Sequence, residues 1–515
     1  MWITHFVRRN RMLRPDSLAV ADATRRLTWR EFDERTDSLA TALLDRGVTK
    51  GQRIIVSSRN RVEVLELYVA AGKAGIVICP VNHSLQEPEI EYIARNVDAV
   101  GVVAEADVME RLDLAFGRGW RVTLDSTEYE QLASHPARRL GVPRQDDVFA
   151  ILQTSATTGH PKGVVITNRS ISACYTAMAA EMRFGPDDVM LNPCPLFHGS
   201  LVIGLALMAA GGALVVQREF VPQRFSAEVL AHGATRAFLV PSMVHFLLRT
   251  KAFDAVSLSS LTEVMYGGSP IAEELLREAL QRFPCPFRNV YGITEGGGPI
   301  ATGLFSRADL ESTADGTDEL LLRSSGRMLH GCHIEIQNDF GTPLPPGEVG
   351  EVCVRGDGMM LLYWRDTIAT ATAVRDGWLL TGDLGYATAE GHLYLVDRRS
   401  DLIIRGGQNI YPAEIERVLG AHPGVVDVAA VAAPSQEWGE VPVVFVTVRE
   451  PAPVTADLMA SCISQLASYK RPASIRIVDD IPRSAAGKIL RRLLRDRLAA
   501  DDEERRQLTS RSEEG

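Results

Sequence analysis

The chain has 515 residues, with 55 Lys and Arg against 65 Asp and Glu, giving a formal charge of −10. Its length allows roughly two to four domains and needs no disulfide or metal staple; 46% hydrophobic and 23% charged residues exclude a disordered or collagen-like chain. The acidic balance argues against a general nucleic-acid binder, whose affinity rests on Lys and Arg at phosphates.

From the N-terminus, residues 1–17 interleave Arg with short apolar runs and have no continuous apolar region, so they do not read as a secretory signal. Thr28-x-x-Glu31 is a capping-box pattern opening a helix with Phe32, Leu39 and Leu43 on its apolar face. A strand is expected at Arg53–Val56, a helix at Val62–Ala74, and further strands at Gly75–Pro80 and Ala99–Ala104. This alternation implies crossovers and a largely parallel sheet covered by helices. Strand candidates continue at Phe149–Gln153, Ala213–Gln217, Thr262–Tyr266 and Gly350–Arg355. The longest apolar stretch, Leu201 to Val216, falls short of the ~20 residues a bilayer needs. With Gly211-Gly212 inside it, it reads as a buried helix turning into a core strand.

The seven cysteines (Cys79, Cys174, Cys194, Cys285, Cys332, Cys353, Cys462) are scattered without a Cys-x-x-Cys pair. Buried thiols in a reducing compartment fit them better than a disulfide framework or a zinc site. Asn82-His83-Ser84 and Asn168-Arg169-Ser170 match the glycosylation pattern, but without an export signal they read as chance. Texture changes at the turn-rich 341–348 and at the charged 397–401, which lies between strand-like Leu393–Val396 and Leu402–Ile404. About 100 residues follow, enough for a small α+β domain, and the charged 501–515 reads as a solvated tail.

After the strand at 149–153 comes Thr154-Ser155-Ala156-Thr157-Thr158-Gly159-His160-Pro161-Lys162-Gly163. Backbone N–H groups, hydroxyls and a lysine in such a loop can wrap an anion; a polar surface turn is the bland alternative. It is not a Walker A loop, and no Gly-x-Gly-x-x-Gly opens a βαβ unit. Gly267-Gly268-Ser269-Pro270-Ile271 misses the hydrolase elbow at Ile271.

The segment 153–163 resembles the signature loop of the adenylate-forming superfamily, which includes acyl-CoA synthetases, luciferases and stand-alone adenylation domains. PLFHG at 195–199, YGITE at 291–295, TGD at 381–383, DRRSDLIIRGGQNIYPAEIE at 397–416 and PRSAAGKILRRLLR at 482–495 follow in the family's order. The resemblance runs from about Pro15 to about Arg495. It implies an α/β fold: a large N-terminal α/β domain with layered sheets (1–396), a hinge (397–401), a small mobile C-terminal α+β domain (402–500) and a flexible tail (501–515).

The family's reaction joins a carboxylate to the α-phosphate of ATP, giving an acyl-adenylate and pyrophosphate; a thiol, usually of coenzyme A, then displaces AMP. By resemblance Thr154, Ser155, Thr157, Thr158, Gly159 and Lys162 hold the β- and γ-phosphates, Thr294 meets the α-phosphate, Glu295 holds Mg²⁺, and Tyr291 stacks on adenine. Gly267, Gly268, Asn289 and Gly292 complete the nucleotide contacts. Asp383 and Arg398 take the ribose hydroxyls, although Gly-Asp at a strand end is otherwise a common turn. Lys488 matches the adenylation lysine; its bland alternative is a surface lysine. A lysine carries its charge at neutral pH and can bridge the carboxylate and the phosphate.

Ser400 stands where the family's hinge usually has Asp or Lys, and Ala156 where the loop usually has Gly. Gly406 and Gly407 match the segment lining the pantetheine tunnel, Arg218 the base for the CoA phosphates, and His198 the residue at the acyl-pocket mouth. Gly268, Gly296 and Gly297 suggest room for a bulky or aromatic acid, unless they only satisfy turn geometry. PLFHG lacks the acid with which amino-acid-activating relatives hold the α-amine.

The resemblance thus implies a cytoplasmic, ATP- and Mg²⁺-dependent ligase for an aryl or fatty acid, with CoA as acceptor and no membrane span, and it allows a homodimer. The alternatives are transfer to a carrier-protein thiol or an amine, activation of an inorganic acid such as nitrite, and a catalytically silent nucleotide-binding protein. Luciferases share every motif, but nothing specific supports an oxidising activity.

Overall fold

The computed structural model describes residues 3–115, 119–154, 161–197, 199–314, 321–435, 437–449, 455–483 and 488–500. The chain forms two compact units: 1–335 with 353–381 and 388–393, and 336–352 with 382–387 and 394–515. Strands Gly350–Gly356, Trp378–Ala387 and Leu393–Arg398 carry the chain from one to the other.

Within the first unit, the expected strand–helix alternation builds two sheets. Among the described residues one sheet runs in the order Arg327–Met328, Gly298–Phe305, Phe287–Ile293, Glu263–Gly267, Arg236–Leu239, Val189–Asn192, Ala213–Val216, Leu18–Ala21, Arg26–Thr28. The other runs Leu362–Tyr363, Lys162–Thr167, Val148–Thr154, Val77–Pro80, Arg53–Ser57, Ala99–Ala104, Trp120–Thr123. Interior strands pair in parallel, whereas Gly298–Phe305, Arg26–Thr28 and Lys162–Thr167 join antiparallel.

Strand side chains alternate between faces, and here both faces are covered. Ile54 and Val56 enter one core with Leu214, Val216 and the helices Trp29–Asp45, Val62–Ala74, Asn168–Glu181 and Gly199–Ala209. Ile55 points the other way, into a core with Ile90 and Ile93 of the helix Glu87–Val97. Val215 likewise faces Phe225, Leu247 and Leu276. The helices Trp29–Asp45, Val62–Ala74, Asn168–Glu181 and Gly199–Ala209 thus lie between the two sheets, and other helices cover the outer faces. Each fully buried Leu, Ile or Val stabilises such layers by about 1.5–3 kcal/mol.

Local signals act as expected. Thr28 Oγ1 accepts the Glu31 N–H while the Glu31 carboxylate accepts from the Thr28 N–H at 2.8 Å. Donation from the Thr28 N–H and hydroxyl to that carboxylate holds it below its ordinary range. Helix Ile3–Leu13 buries Ile3, Phe6 and Val7, so this N-terminal segment is part of the core. All seven cysteines are free and six are buried. Burial pushes the Cys79, Cys174 and Cys194 thiols up to about 12, leaving them unreactive packing groups. No helix among the described residues is long and apolar enough to cross a membrane. The stretch from Leu201 is helix to Ala209 and strand from Ala213.

In the second unit, strands Gln408–Ile410, Ile403–Arg405, Gly439–Val448 and Val425–Ser435 form a sheet, with Ser474–Ile477 pairing Gly439–Val448 in parallel. Helices Pro412–Gly420 and Thr455–Gln465 cover one face through Ile415, Leu419, Leu458 and Cys462. Ile481, Leu494 and Leu498 cover the other. This is an α+β arrangement.

Candidate active site

In open parallel sheets ligands gather at the carboxyl ends of the strands. Glu263–Gly267 and Phe287–Ile293 run side by side in parallel, with Gly267 opposite Val290. Their ends therefore bring Gly267-Gly268 beside the segment from Tyr291 to Glu295. Asn289 donates to the Ser324 carbonyl at 3.3 Å, and Tyr291 is buried. The strand continues through Gly292, where its register against Gly298–Phe305 shifts. A bulge of this kind re-aims the residues that follow, here Thr294 and Glu295 in a short 3-10 turn.

Thr154 closes one strand and Lys162 opens its antiparallel partner, with the two residues paired across the ladder. Thr154 Oγ1 donates to the Lys162 carbonyl at 3.4 Å. Ser155, Thr157, Thr158 and Gly159 lie outside the described residues, as does His198. Lys162 Nζ sits 5.0 Å from the centroid of the Tyr363 ring, and the Tyr363 hydroxyl donates to Glu295 Oε1 at 2.8 Å. The sequence-predicted Lys162 and Glu295 thus meet around a tyrosine that sequence reasoning missed. Its only signal was one buried-type aromatic in a loop-like stretch.

Gly297 has φ +75°, and a Cβ there would collide with the Gly358 carbonyl oxygen. Close backbone approach thus requires glycine at that position. Gly296 is buried beside Ile300.

Arg218 follows the strand Ala213–Val216 and is held by Glu105, at 3.1 and 2.6 Å to its two oxygens. Burial of Glu105 opposes its ionisation. Bonds from Ser58, Arg218 and Arg59 outweigh that and keep its carboxyl below the ordinary range. Arg218 is therefore oriented by a buried carboxylate, with half of its side chain exposed.

In the second unit Asp383 is buried, and its Oδ1 lies 2.6 Å from Arg398 Nε. The two predicted ribose contacts are together. Gly382-Asp383 sits in mid-strand within Trp378–Ala387, not in the strand-end turn that was the bland alternative. Ser400 lies in the 3-10 turn Arg399–Asp401, between Arg399, paired with Asp339, and Asp401, paired with Arg491. Gly406 and Gly407 have φ +55° and +80° and form the two-residue connection between Ile403–Arg405 and Gln408–Ile410. Such hairpin turns need positive φ at both positions. The hairpin by itself therefore accounts for both glycines. Lys488 is exposed, and its neighbour Ile489 bridges Arg483 and packs under the sheet.

Asp397 caps a helix at a distance in sequence. Tyr411, the N-cap of Pro412–Gly420, makes no side-chain cap bond, but Asp397 Oδ2 accepts from the Ala413 N–H at 2.9 Å. Burial pushes the Asp397 carboxyl up to about 6, against the Ala413 N–H and Arg491, which favour its charge. An unfolded Asp titrates near 3.9. Between pH about 4 and about 6 the folded state thus binds the extra proton, and stability falls as pH rises through that window. Urea-unfolding midpoints from pH 4 to 7 should show this fall, a few kcal/mol at most, and Asp397→Asn should lose it. The same slope in the variant would assign the effect to another group.

Among the described residues no three His, Cys, Asp or Glu side chains converge on a metal site. Glu295 offers a carboxylate oxygen donor at the Tyr363 ring that Lys162 also meets. That set fits Mg²⁺, which is held by one or two carboxylates plus substrate phosphates and water rather than by an all-protein cage.

The chain belongs to the AMP-binding enzyme family, which matches residues 7–364, and the AMP-binding enzyme C-terminal domain matches residues 414–488. It is 34% identical over 504 residues to the fatty acid–[acyl-carrier-protein] ligase ScoC of Streptomyces coeruleorubidus, covering 95% of this chain and 94% of that one. Identity to a feruloyl-CoA synthase of an Amycolatopsis species is 32% over 498 residues, covering 95% and 98%. Among solved structures, ATP-bound MatB from Rhodopseudomonas palustris superposes with a TM-score of 0.89 at 26% identity, covering 96% and 99%.

Proposed function

We propose that the protein is a cytoplasmic, Mg²⁺-dependent ligase that converts an aryl or fatty carboxylic acid and ATP into an acyl-adenylate and pyrophosphate, then transfers the acyl group to coenzyme A and releases AMP. The observation that carries the proposal is the meeting of Lys162 and Glu295 around Tyr363. It sets a cation and a hard-donor carboxylate together at the strand ends, as joining a carboxylate to a polyphosphate requires. When bound, Mg²⁺ would neutralise phosphate charge next to Glu295.

Lys162, with Thr154 and the residues 155–159, is assigned to the β- and γ-phosphates, and Thr294 to the α-phosphate. Tyr291, with Gly267, Gly268, Asn289 and Gly292, borders the adenine. Asp383 accepts from the ribose hydroxyls with Arg398 beside it, and Lys488 neutralises the carboxylate and α-phosphate as they approach. Rotation about the 397–401 hinge at Ser400 would replace Lys488 by the Gly406-Gly407 hairpin, with Arg218 for the CoA phosphates and His198 at the acyl mouth.

A carrier-protein thiol is the second reading, favoured by the likeness to an acyl-carrier-protein ligase. The test is pyrophosphate release across fatty, aryl and amino acids, with CoA, with an acyl-carrier protein, or with neither. Acid-dependent release with a CoA thioester as product is expected. Robust adenylation without a thioester from any acid would overturn the CoA reading, and acyl-carrier protein as sole acceptor would establish the second.

A further inference from the structure

Residues 358–364 form a strap that joins the strand opened by Lys162 to the turn that carries Glu295. The Met360 N–H donates to the Glu295 carbonyl at 2.8 Å, Leu361 N–H to Val165 at 2.9 Å, and Trp364 N–H to Gly163 at 2.7 Å. Ser170 Oγ donates to the Met359 carbonyl at 2.9 Å. Leu362–Tyr363 pairs with the strand that Lys162 opens. One short segment thus bonds to both the lysine-bearing strand and the Thr-Glu turn.

Tyr363 is the strap residue whose side chain reaches both chemical groups. Its own backbone is fixed, since its N–H donates to Thr370 Oγ1 at 3.0 Å and that hydroxyl donates on to the Asp366 carbonyl at 2.7 Å. The phenol is buried, and its hydroxyl is directed at the Glu295 carboxylate. A donor on Oε1 restricts the rotamers of Glu295 and leaves its other oxygen for a cation. The ring face attracts the Lys162 ammonium.

We propose that Tyr363 is a positioning residue of the nucleotide site: its hydroxyl orients the Glu295 carboxylate toward the cation of Mg·ATP, and its ring orients Lys162 toward the phosphates. This rests on the ligase reading above. The alternative is a tyrosine that only fills the core between the strap and the strand.

Calorimetric titration of ATP with and without Mg²⁺ separates the two. Tyr363→Phe keeps the ring and removes the hydroxyl. It should weaken Mg·ATP binding about ten-fold, as expected for one lost hydrogen bond to a charged group, and change Mg²⁺-free ATP binding less than about two-fold. Tyr363→Leu should also weaken Mg²⁺-free binding, by about three-fold or more through loss of the ring face. Melting temperature reports folding, and if Tyr363→Leu does not fold, Tyr363→Phe alone decides. Wild-type behaviour of Tyr363→Phe in both titrations would overturn the assignment, and so would equal losses with and without Mg²⁺, because packing has no metal dependence. If the wild-type protein binds no nucleotide, the ligase reading falls and the assignment with it.

Discussion

Lys488→Ala is expected to lower acid-dependent pyrophosphate release by about 10²–10³-fold, the usual loss when one positioned electrostatic donor is removed from a transition state. Thioester formation from supplied acyl-adenylate should stay within a few-fold of wild type. The asymmetry follows from chemistry. Only the first half-reaction drives one anion against another; in the second, a thiol displaces a good leaving group from an acyl carbon already activated. Lys488 is exposed, while Ile489 bridges Arg483, Leu490 N–H donates to Pro482 at 2.8 Å, and Ile489 packs under the sheet of the second unit. Removing an exposed ammonium from a backbone anchored by its neighbours leaves the fold intact. Rates of both half-reactions, measured separately on the same preparation, decide the matter. Equal loss in both would show that Lys488 supports structure or CoA binding instead.

The features legible in the sequence are those encoded locally. The Thr28-x-x-Glu31 cap needs four consecutive residues, and it forms with both of its bonds. Arg53–Val56 reads as a strand because a β-branched run buried on both faces has few alternatives; Ile54 and Ile55 go to opposite cores. The family motifs were equally legible, each being a short run around a chemical group. The chain then places Lys162 near Glu295 around one ring, and Asp383 against Arg398.

What escaped the sequence depends on contacts distant along the chain. Tyr363 matters only because a β-pairing and a turn bring it to Lys162 and Glu295, and nothing in Leu362-Tyr363-Trp364 encodes either neighbour. Glycine was ambiguous for the opposite reason: its absent side chain suits a pocket, a turn and a close backbone contact alike. At Gly297 the deciding atom is the carbonyl of Gly358. At Gly406-Gly407 it is the hairpin. Asp397 read as one charge in a polar break, yet its carboxylate caps a helix and is half-buried.

Lys73→Met is expected to destabilise the first unit by about 3–5 kcal/mol, the cost of leaving a buried charge without its partner. Lys73 lies in the helix Val62–Ala74 and is 4% exposed, and Asp33, in the helix Trp29–Asp45, is 2% exposed. The ammonium donates to Asp33 Oδ1 at 2.6 Å, to the Asp33 carbonyl at 3.0 Å and to Thr36 Oγ1 at 2.9 Å. Asp37 Oδ1 stands 2.7 Å away. All of these partners lie on one helix, so the lysine pins that helix to its neighbour inside the layer shared by the two sheets. Methionine matches the apolar stem but satisfies none of the acceptors. Arg11 also contacts Asp33, at 3.0 Å, but its side chain is a third exposed, so it offsets only part of the loss. Urea-unfolding midpoints at constant m-value should report the change. Lys73→Met combined with Asp33→Asn should recover much of it, because the charge left behind is then gone. A single-variant loss under about 1 kcal/mol would mean that Arg11 alone satisfies Asp33, and that the lysine adds no more than a surface pair would.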